Sequence, residues 1–147
     1  GNVIFSRFPI VAAQVKFAES GAGRFVDDYK VPTNGDFSQQ PCNFQAATLQ
    51  IHAVKVEVLN VHGVWDRHAD DSPARTKLID AMAAALQTPQ NCLIMGDFNM
   101  HCTCAALSAF SDLGLQHVFQ ADDLEGQTTF NLSLLHNVMK RIPNFVP

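Results

Sequence analysis

The chain has 147 residues, of which 47% are hydrophobic and 16% are charged, a balance typical of one globular domain and not of a disordered or fibrous protein. No stretch approaches the roughly 20 consecutive apolar residues of a transmembrane helix, so no membrane span is expected. The formal net charge of -4 disfavours tight nonspecific binding to nucleic acid, which depends on neutralising phosphates with Lys and Arg.

The first 61 residues are predicted to form β-strands joined by turns and loops. Apolar and polar residues alternate there in short runs separated by turn residues, which indicates strands and not helices. Residues 19–42 carry several Gly and Pro residues and little periodicity, so loops around at most one short strand are expected. Only His52 and Ala53 separate the last two runs, which predicts an antiparallel hairpin. The strands are expected at residues 3–5, 10–17, 44–51 and 54–61.

From Pro73 the apolar period changes to that of a helix. Ser72 is a good N-cap ahead of a proline at the first helical position, and Thr88 with Pro89 is expected to close the helix. The charged residues fall on other faces than the apolar ones. The apolar face is formed by Leu78, Ile79, Met82, Ala83 and Leu86, and the charged residues are Arg75, Lys77 and Asp80.

The remaining elements are predicted to be short. A second helix is expected from about Ala105 to Leu113, with Gly114 as its C-terminal cap. After residue 115 the pattern weakens, and short strands are expected at 128–130 and 142–146.

The apolar run from Cys92 to Met95 stops at Gly96, and Asp97 and Asn99 follow two residues apart. This pattern predicts a strand covered on both faces that presents a carboxylate and an amide in the same direction, with Phe98 pointing into the core. A carboxylate beside an amide suits a hard cation, an attacking water or a phosphoryl oxygen. The same four residues could also form an ordinary turn in which Asp and Asn bind their own backbone.

His62 follows a valine-rich strand just as Asp97 follows the apolar run after the helix. Both strands therefore bring polar groups to their carboxyl ends, where sites collect in layered α/β proteins. Alone, a histidine at a strand end is most simply a residue with one satisfied hydrogen bond. The shared placement favours a site.

Four segments of the chain form a recognisable series: residues 1–9 with Ser-Arg-Phe-Pro, 59–63 with Asn-Val-His, 65–75, and 94–99 with Gly-Asp-Phe-Asn. In this order they resemble the endonuclease/exonuclease/phosphatase superfamily, the DNase I-like phosphohydrolases. The resemblance covers the chain to about residue 113, and Gly-Asp-Phe-Asn is its most specific motif. It implies an α/β fold, a partial DNase I-like four-layer sandwich of two mixed β-sheets packed face to face with helices outside.

The resemblance also implies catalytic roles. Asp97 would orient or activate the attacking water or help to hold a metal ion, Asn99 would bind the phosphate or fix Asp97, and His62 would contact a phosphoryl oxygen. The family implies Mg²⁺ or Mn²⁺ as Lewis acid and in-line attack of water on phosphorus, with no covalent intermediate. Ser6 and Arg7 would shape the floor of the site. The substrate class stays open among nucleic acids, lipid head groups and small phosphorylated molecules.

The chain also departs from the family pattern. Members carry a metal-binding glutamate and an earlier asparagine upstream of the matching segment, and a later Asp-His pair. Asn144 stands where members have an aspartate, in the strand expected at 142–146. We therefore expect residues 1–147 to be a single incomplete domain that lacks the N-terminal strands and the C-terminal strand with Asp-His. The chain alone is expected to be inactive or nearly so, and a noncatalytic binding or scaffold module of the same fold is the alternative.

Two further groups of residues allow other interpretations. His101, Cys102 and Cys104 could suggest a zinc-binding module, although Cys-x-Cys is tighter than the usual ligand spacing and no second cluster follows. Four cysteines permit two disulfides that a chain of this size does not need, and Cys92 is most simply a small core residue. The acidic residues before the first helix could attract a cation near His62, but for Asp70 and Asp71 a solvated loop with the charge preference of a helix N-terminus is the simpler account. These acidic residues are Asp66, Asp70 and Asp71.

Overall fold

The computed structural model describes residues 2–18, 42–65 and 69–118. Its strands form one mixed sheet in the order β1-β2-β3-β4, in which β1-β2 and β2-β3 are antiparallel and β3-β4 is parallel. Sheet and helices together give the α/β character expected from the sequence. The elements are β1 (Ile10–Phe17), β2 (Asn43–Ile51), β3 (Val54–His62), α1 (Pro73–Ala85), β4 (Cys92–Asp97) and α2 (Ser108–Ser111), with 3-10 turns at Pro89–Asn91 and Ala105–Leu107.

The predicted hairpin is confirmed. β2 and β3 pair along almost their whole length, from Phe44 opposite Val61 to Ile51 opposite Val54. His52 in the two-residue turn has a φ of 52°, the left-handed conformation that such tight turns need. The hairpin therefore fixes the register of the centre of the sheet.

The strand end predicted at residues 3–5 is wrong, because residues 2–9 form no strand in the structure. The carbonyl oxygen of Val3 accepts a hydrogen bond of 3.1 Å from the side chain of Asn60. Side chains thus hold the start of this segment against the sheet, and at its end the Pro9 carbonyl oxygen accepts a hydrogen bond of 2.9 Å from the backbone nitrogen of Gln50.

Helix α1 packs its apolar face on one face of the sheet. Leu78, Ile79 and Met82 are fully buried against a core that contains Phe44 and Leu59. Ser72 caps the helix by accepting a hydrogen bond from the backbone nitrogen of Arg75 at 3.4 Å, as predicted from Ser-Pro. The prediction that Arg75 lies on another face than the apolar residues is wrong. It stands three and seven residues before Leu78 and Met82, on the same helix face, and is only 2% exposed.

The helix ends earlier than predicted, at Ala85 instead of Thr88. The carboxylate of Glu57, on β3, accepts hydrogen bonds from the backbone nitrogens of Gln87 and Thr88 and from the Thr88 hydroxyl. The residue before a proline also avoids helical geometry. A contact with a distant strand therefore draws the chain out of the helix.

The second helix begins and ends close to the predicted residues, but it is mostly not an α-helix. Ala105–Leu107 form a 3-10 turn, and α2 itself has four residues. Gly114 has a φ of 82°, and the backbone nitrogens of Gly114 and Leu115 donate to Ser111 and Phe110. These two bonds form a Schellman cap, so the predicted glycine cap is confirmed.

β4 was predicted to be covered on both faces, and this is wrong for the structure described. Ile94 faces the core under α1, whereas Leu93 and Met95 are 44% and 42% exposed. Leu93 lies opposite Val58 and Met95 opposite Asn60, so all four lie on the sheet face that α1 does not cover. No helix among the described residues is long and apolar enough to cross a membrane.

Candidate active site

The parallel pairing of β3 and β4 brings the two predicted polar strand ends together. His62 is the register partner of Asp97, and Val61 is the partner of Gly96. Both His62 and Asp97 are exposed. The structure therefore places an imidazole and a carboxylate side by side at one edge of the sheet.

Two glycines allow the backbones of these strand ends to approach closely. A Cβ atom on Gly96 would lie 2.0 Å from the carbonyl oxygen of Val61, and one on Gly63 would lie 2.1 Å from that of Phe98. Gly96 also has a φ of 137°, which is accessible mainly to glycine. The backbone nitrogen of Gly63 donates to the carbonyl oxygen of Asp97 at 2.6 Å. Glycine is needed at both positions for this contact.

The chain turns immediately after Asp97 instead of continuing as a strand. The Oδ1 atom of Asp97 accepts a hydrogen bond of 2.9 Å from the backbone nitrogen of Asn99, and Asn99 has a φ of 53°. The Nδ2 atom of Asn99 donates to the carbonyl oxygen of Gly63 at 3.0 Å. The local geometry is thus the turn that the sequence left open as an alternative, and Asn99 ties it to the end of β3.

Phe98 points into the core, as predicted. Its ring lies 6.4 Å from that of Phe110, with an interplanar angle of 77°, an edge-to-face contact. This contact anchors the turn between Asp97 and Asn99 to the layer that contains α2.

A shallow groove of about 300 Å³ lies at this edge of the sheet. Asn60 is two residues before His62 on the same strand face, and its bond to Val3 holds the N-terminal segment beside the groove. Asn2 donates to the carbonyl oxygen of Asn43 at 3.2 Å and completes this wall. The groove is lined by Asn2, Val3, Asn60, Val61, His62, Gly96 and Asp97.

Sequence reasoning missed Asn2 and Asn60 as groove residues. Asn60 stands within the Asn-x-His segment, and this signal could have identified it. Asn2 had no local signal, because its place depends on contacts with residues about forty positions away. Ser6 and Arg7 do not line the groove, and the Ser6 hydroxyl accepts a hydrogen bond from the Phe8 backbone nitrogen instead. Asn144 lies outside the described residues.

The donor atoms at the groove suit a hard cation only in part. Asp97 supplies one carboxylate, and Asn2 and Asn60 supply amide oxygens. Such oxygen atoms are the ligands that Mg²⁺ prefers alongside water. Within residues 2–18, 42–65 and 69–118 no group of three or more His, Cys, Asp or Glu residues is placed to hold a metal ion. A complete metal site therefore needs a further ligand.

The loop after Asn99 places its two cysteines, Cys102 and Cys104, in different environments. No disulfide joins any of the four cysteines. Cys104 is buried and its thiol donates to the carbonyl oxygen of Ala69 at 3.3 Å, whereas Cys102 is exposed. Burial, reinforced by the negative charge of Asp71, raises the pKa of the Cys104 thiol. The two cysteines thus differ in environment, which gives the zinc interpretation no support.

Asp71 acts on a different helix from the one expected. Its two carboxylate oxygens accept hydrogen bonds from the backbone nitrogens of Ala105 and Ala106, at 2.8 Å and 2.9 Å. It therefore caps the 3-10 turn before α2 and not the neighbouring helix α1.

These features define a class of α/β protein in which a histidine and an aspartate lie next to each other at the carboxyl ends of two parallel strands. A family model described as the Endonuclease/Exonuclease/phosphatase family matches residues 1–142. The chain belongs to this family, as the sequence motifs indicated, and the family consists generally of phosphoester hydrolases. No individual curated protein and no solved structure matches the chain significantly.

Proposed function

We propose that the groove at the ends of β3 and β4 is the site of a divalent-metal-dependent phosphoester hydrolase. The observation that carries this proposal is the direct pairing of His62 with Asp97. A bound Mg²⁺ or Mn²⁺ ion would polarise the phosphoryl group and stabilise the charge that develops on it. Substrates are phosphoesters of a nucleic acid, a lipid head group or a small molecule.

Each polar side chain at or beside the groove has its own proposed role. Oδ1 of Asp97 is engaged by the Asn99 backbone, so Oδ2 would be the oxygen left to hold a metal ion or an attacking water. His62 contacts a phosphoryl oxygen and stabilises its charge in the transition state. Asn99 holds the Asp97 turn against Gly63, which makes it a positioning residue here. Asn144 would complete the site from the strand expected at 142–146.

The open sheet face supports the proposal that this chain forms half of a two-sheet sandwich. Exposed apolar residues on that face include Val15, Leu93 and Met95, as on a sheet that packs against a second one. Gln45 lies on the same face, and its buried Oε1 atom has no hydrogen-bond partner among the described residues. A donor from a second sheet would satisfy it.

Missing ligands lead us to propose that the 147-residue chain is inactive, or nearly so, by itself. The sequence contains neither a Gln-Glu pair nor an Asp-His pair, the family motifs that supply metal and phosphate ligands. Losing such groups removes several kcal/mol of transition-state stabilisation. The domain of residues 1–147 is accordingly proposed to be incomplete.

The alternative is a noncatalytic binding or scaffold module with the same fold. One observation favours it, because Oδ1 of Asp97 already accepts a hydrogen bond from the backbone nitrogen of Asn99, as in an ordinary turn. This alternative predicts that completing the chain with its natural flanking sequence adds no activity.

Hydrolysis of p-nitrophenyl phosphate and bis(p-nitrophenyl) phosphate with Mg²⁺ tests these proposals. The 147-residue chain should stay near background, and the gene product extended by its flanking codons should turn over and lose activity with Asp97→Ala. Asp112→Ala, at an exposed aspartate outside the groove, is the control. Robust turnover by the 147-residue chain would contradict its inactivity. A folded but inactive extended protein would favour the scaffold.

A further inference from the structure

We infer that Arg75 is a positioning residue. It holds the two ends of the connection between β3 and α1, and with them the loop after β4, in place beside the groove. Arg75 is the one charged side chain in the buried part of the described residues. It lies in the first turn of α1, where the helix dipole disfavours a cation. A buried charge is also costly unless strong hydrogen bonds compensate for it. Its position therefore reflects the contacts that it makes.

The guanidinium group joins the two ends of the connection between β3 and α1. Nε donates to the carbonyl oxygen of Val64 at 3.2 Å, and Nη1 donates to that of Asp70 at 2.6 Å. Val64 follows Gly63 directly, and Gly63 is bonded to both Asp97 and Asn99. One end of the connection thus adjoins the paired strand ends of the groove.

The other end of the connection holds the loop that follows Asn99. The carbonyl oxygen of Ala69 accepts hydrogen bonds from the backbone nitrogen of His101 at 2.8 Å and from the Cys104 thiol. Asp71 caps the turn at Ala105 and Ala106. The residues on either side of Asp70 therefore carry the contacts that shape the loop after β4.

Arg75 lies between these two sets of contacts, so its forked donor group fixes their separation. Lysine carries the same charge but has one compact ammonium group in place of a planar fork. We expect it to replace one of the two carbonyl contacts and not both. This inference rests on the proposed function only for the use of the groove. The contacts of Arg75 do not depend on it.

Amide hydrogen exchange of Arg75→Met, Arg75→Lys and Lys77→Met tests the inference. Methionine keeps much of the side-chain volume and removes the donors, and Lys77 is an exposed cation on the same helix. In Arg75→Met the amides of Gly63 and His101 should exchange at least about tenfold faster, while those of the β2-β3 ladder change little. Arg75→Lys should lie between, and Lys77→Met should match the wild type.

The ring signals of His62 give a second readout, which a role limited to global stability would not move. They should shift and broaden in Arg75→Met and partly recover in Arg75→Lys. A uniform rise of exchange over all elements, or full recovery with lysine, would overturn the inference. If Arg75→Met does not fold, the contrast between Gly63 and the β2-β3 ladder is measured in Arg75→Lys. Neither readout requires metal or turnover, so the hydrolase proposal and this inference can fail separately.

Discussion

Alanine at each of three glycines should separate backbone strain from close approach at the groove. Gly114 has a φ of 82° and open space around it, with nothing within 4 Å of where a Cβ atom would lie. Gly63 has no positive φ, but a Cβ atom there would lie 2.1 Å from a backbone oxygen. Gly96 combines both, with a φ of 137° and a distance of 2.0 Å from a Cβ atom to the Val61 carbonyl oxygen. Gly114→Ala therefore tests backbone strain alone, Gly63→Ala tests close approach alone, and Gly96→Ala tests the two together.

The expected costs follow from these geometries. Gly114→Ala should lower the free energy of unfolding by about 1 kcal/mol, since a left-handed alanine costs about 1–2 kcal/mol and the unfolded chain loses some entropy. Gly63→Ala should cost about 1–3 kcal/mol, because the overlap is with backbone that must shift. Gly96→Ala should cost at least about 3 kcal/mol, the sum of strain and overlap.

Urea unfolding followed by circular dichroism measures these differences, provided that the slope with denaturant stays unchanged. For a chain of 147 residues, a loss of about 3 kcal/mol corresponds to a fall in Tm of roughly 6–12 °C. If Gly96→Ala proved no more costly than Gly114→Ala, β3 and β4 would not approach each other as described.

Three further predictions concern β4 and the thiols. Leu93→Ser should cost less than about 1 kcal/mol and Ile94→Ser at least about 2 kcal/mol in urea unfolding, because only the second lies under α1; equal costs would contradict the one-sided burial. Burial raises the pKa of Cys92 and Cys104. The unfolded chain then loses these protons first, so the free energy of unfolding should fall as the pH rises above about 8.5. A double Cys92→Ala, Cys104→Ala variant should lose most of this dependence of the unfolding free energy on pH. An unchanged dependence would show that these two thiols do not cause it. After burial, the charge of Glu57 is the second cause that raises the pKa of Cys92. Glu57→Gln should therefore lower the pH at which the Cys92 thiolate absorbs, and no change would argue against their proximity.

Short-range patterns predicted the parts of the fold that short-range physics determines. The hairpin followed from two residues between alternating runs, α1 followed from its apolar period and its Ser-Pro start, and Gly114 followed from its place after a helix. The meeting of His62 and Asp97 was also predictable, because parallel strands end at the same edge of a sheet.

Contacts between distant segments could not be predicted in the same way. The early end of α1 depends on Glu57, about 30 residues away, and the place of Asn2 depends on a strand about 40 residues away. The burial of Arg75 conflicts with its charge and with its place in the first turn of the helix, although its spacing from Leu78 and Met82 puts it on the buried face. The exposure of Leu93 depends on what covers the sheet, which the pattern of one strand does not contain.

Paramagnetic mapping with Mn²⁺ tests the central claim, that the groove beside His62 and Asp97 is a divalent-metal site. In NMR spectra of the 147-residue chain, Mn²⁺ should selectively broaden the amide signals of residues 62–63 and 96–97. Asp97→Asn should remove this effect, and Asp112→Asn should retain it. Broadening centred on Asp70 and Asp71, and unchanged by Asp97→Asn, would contradict the account.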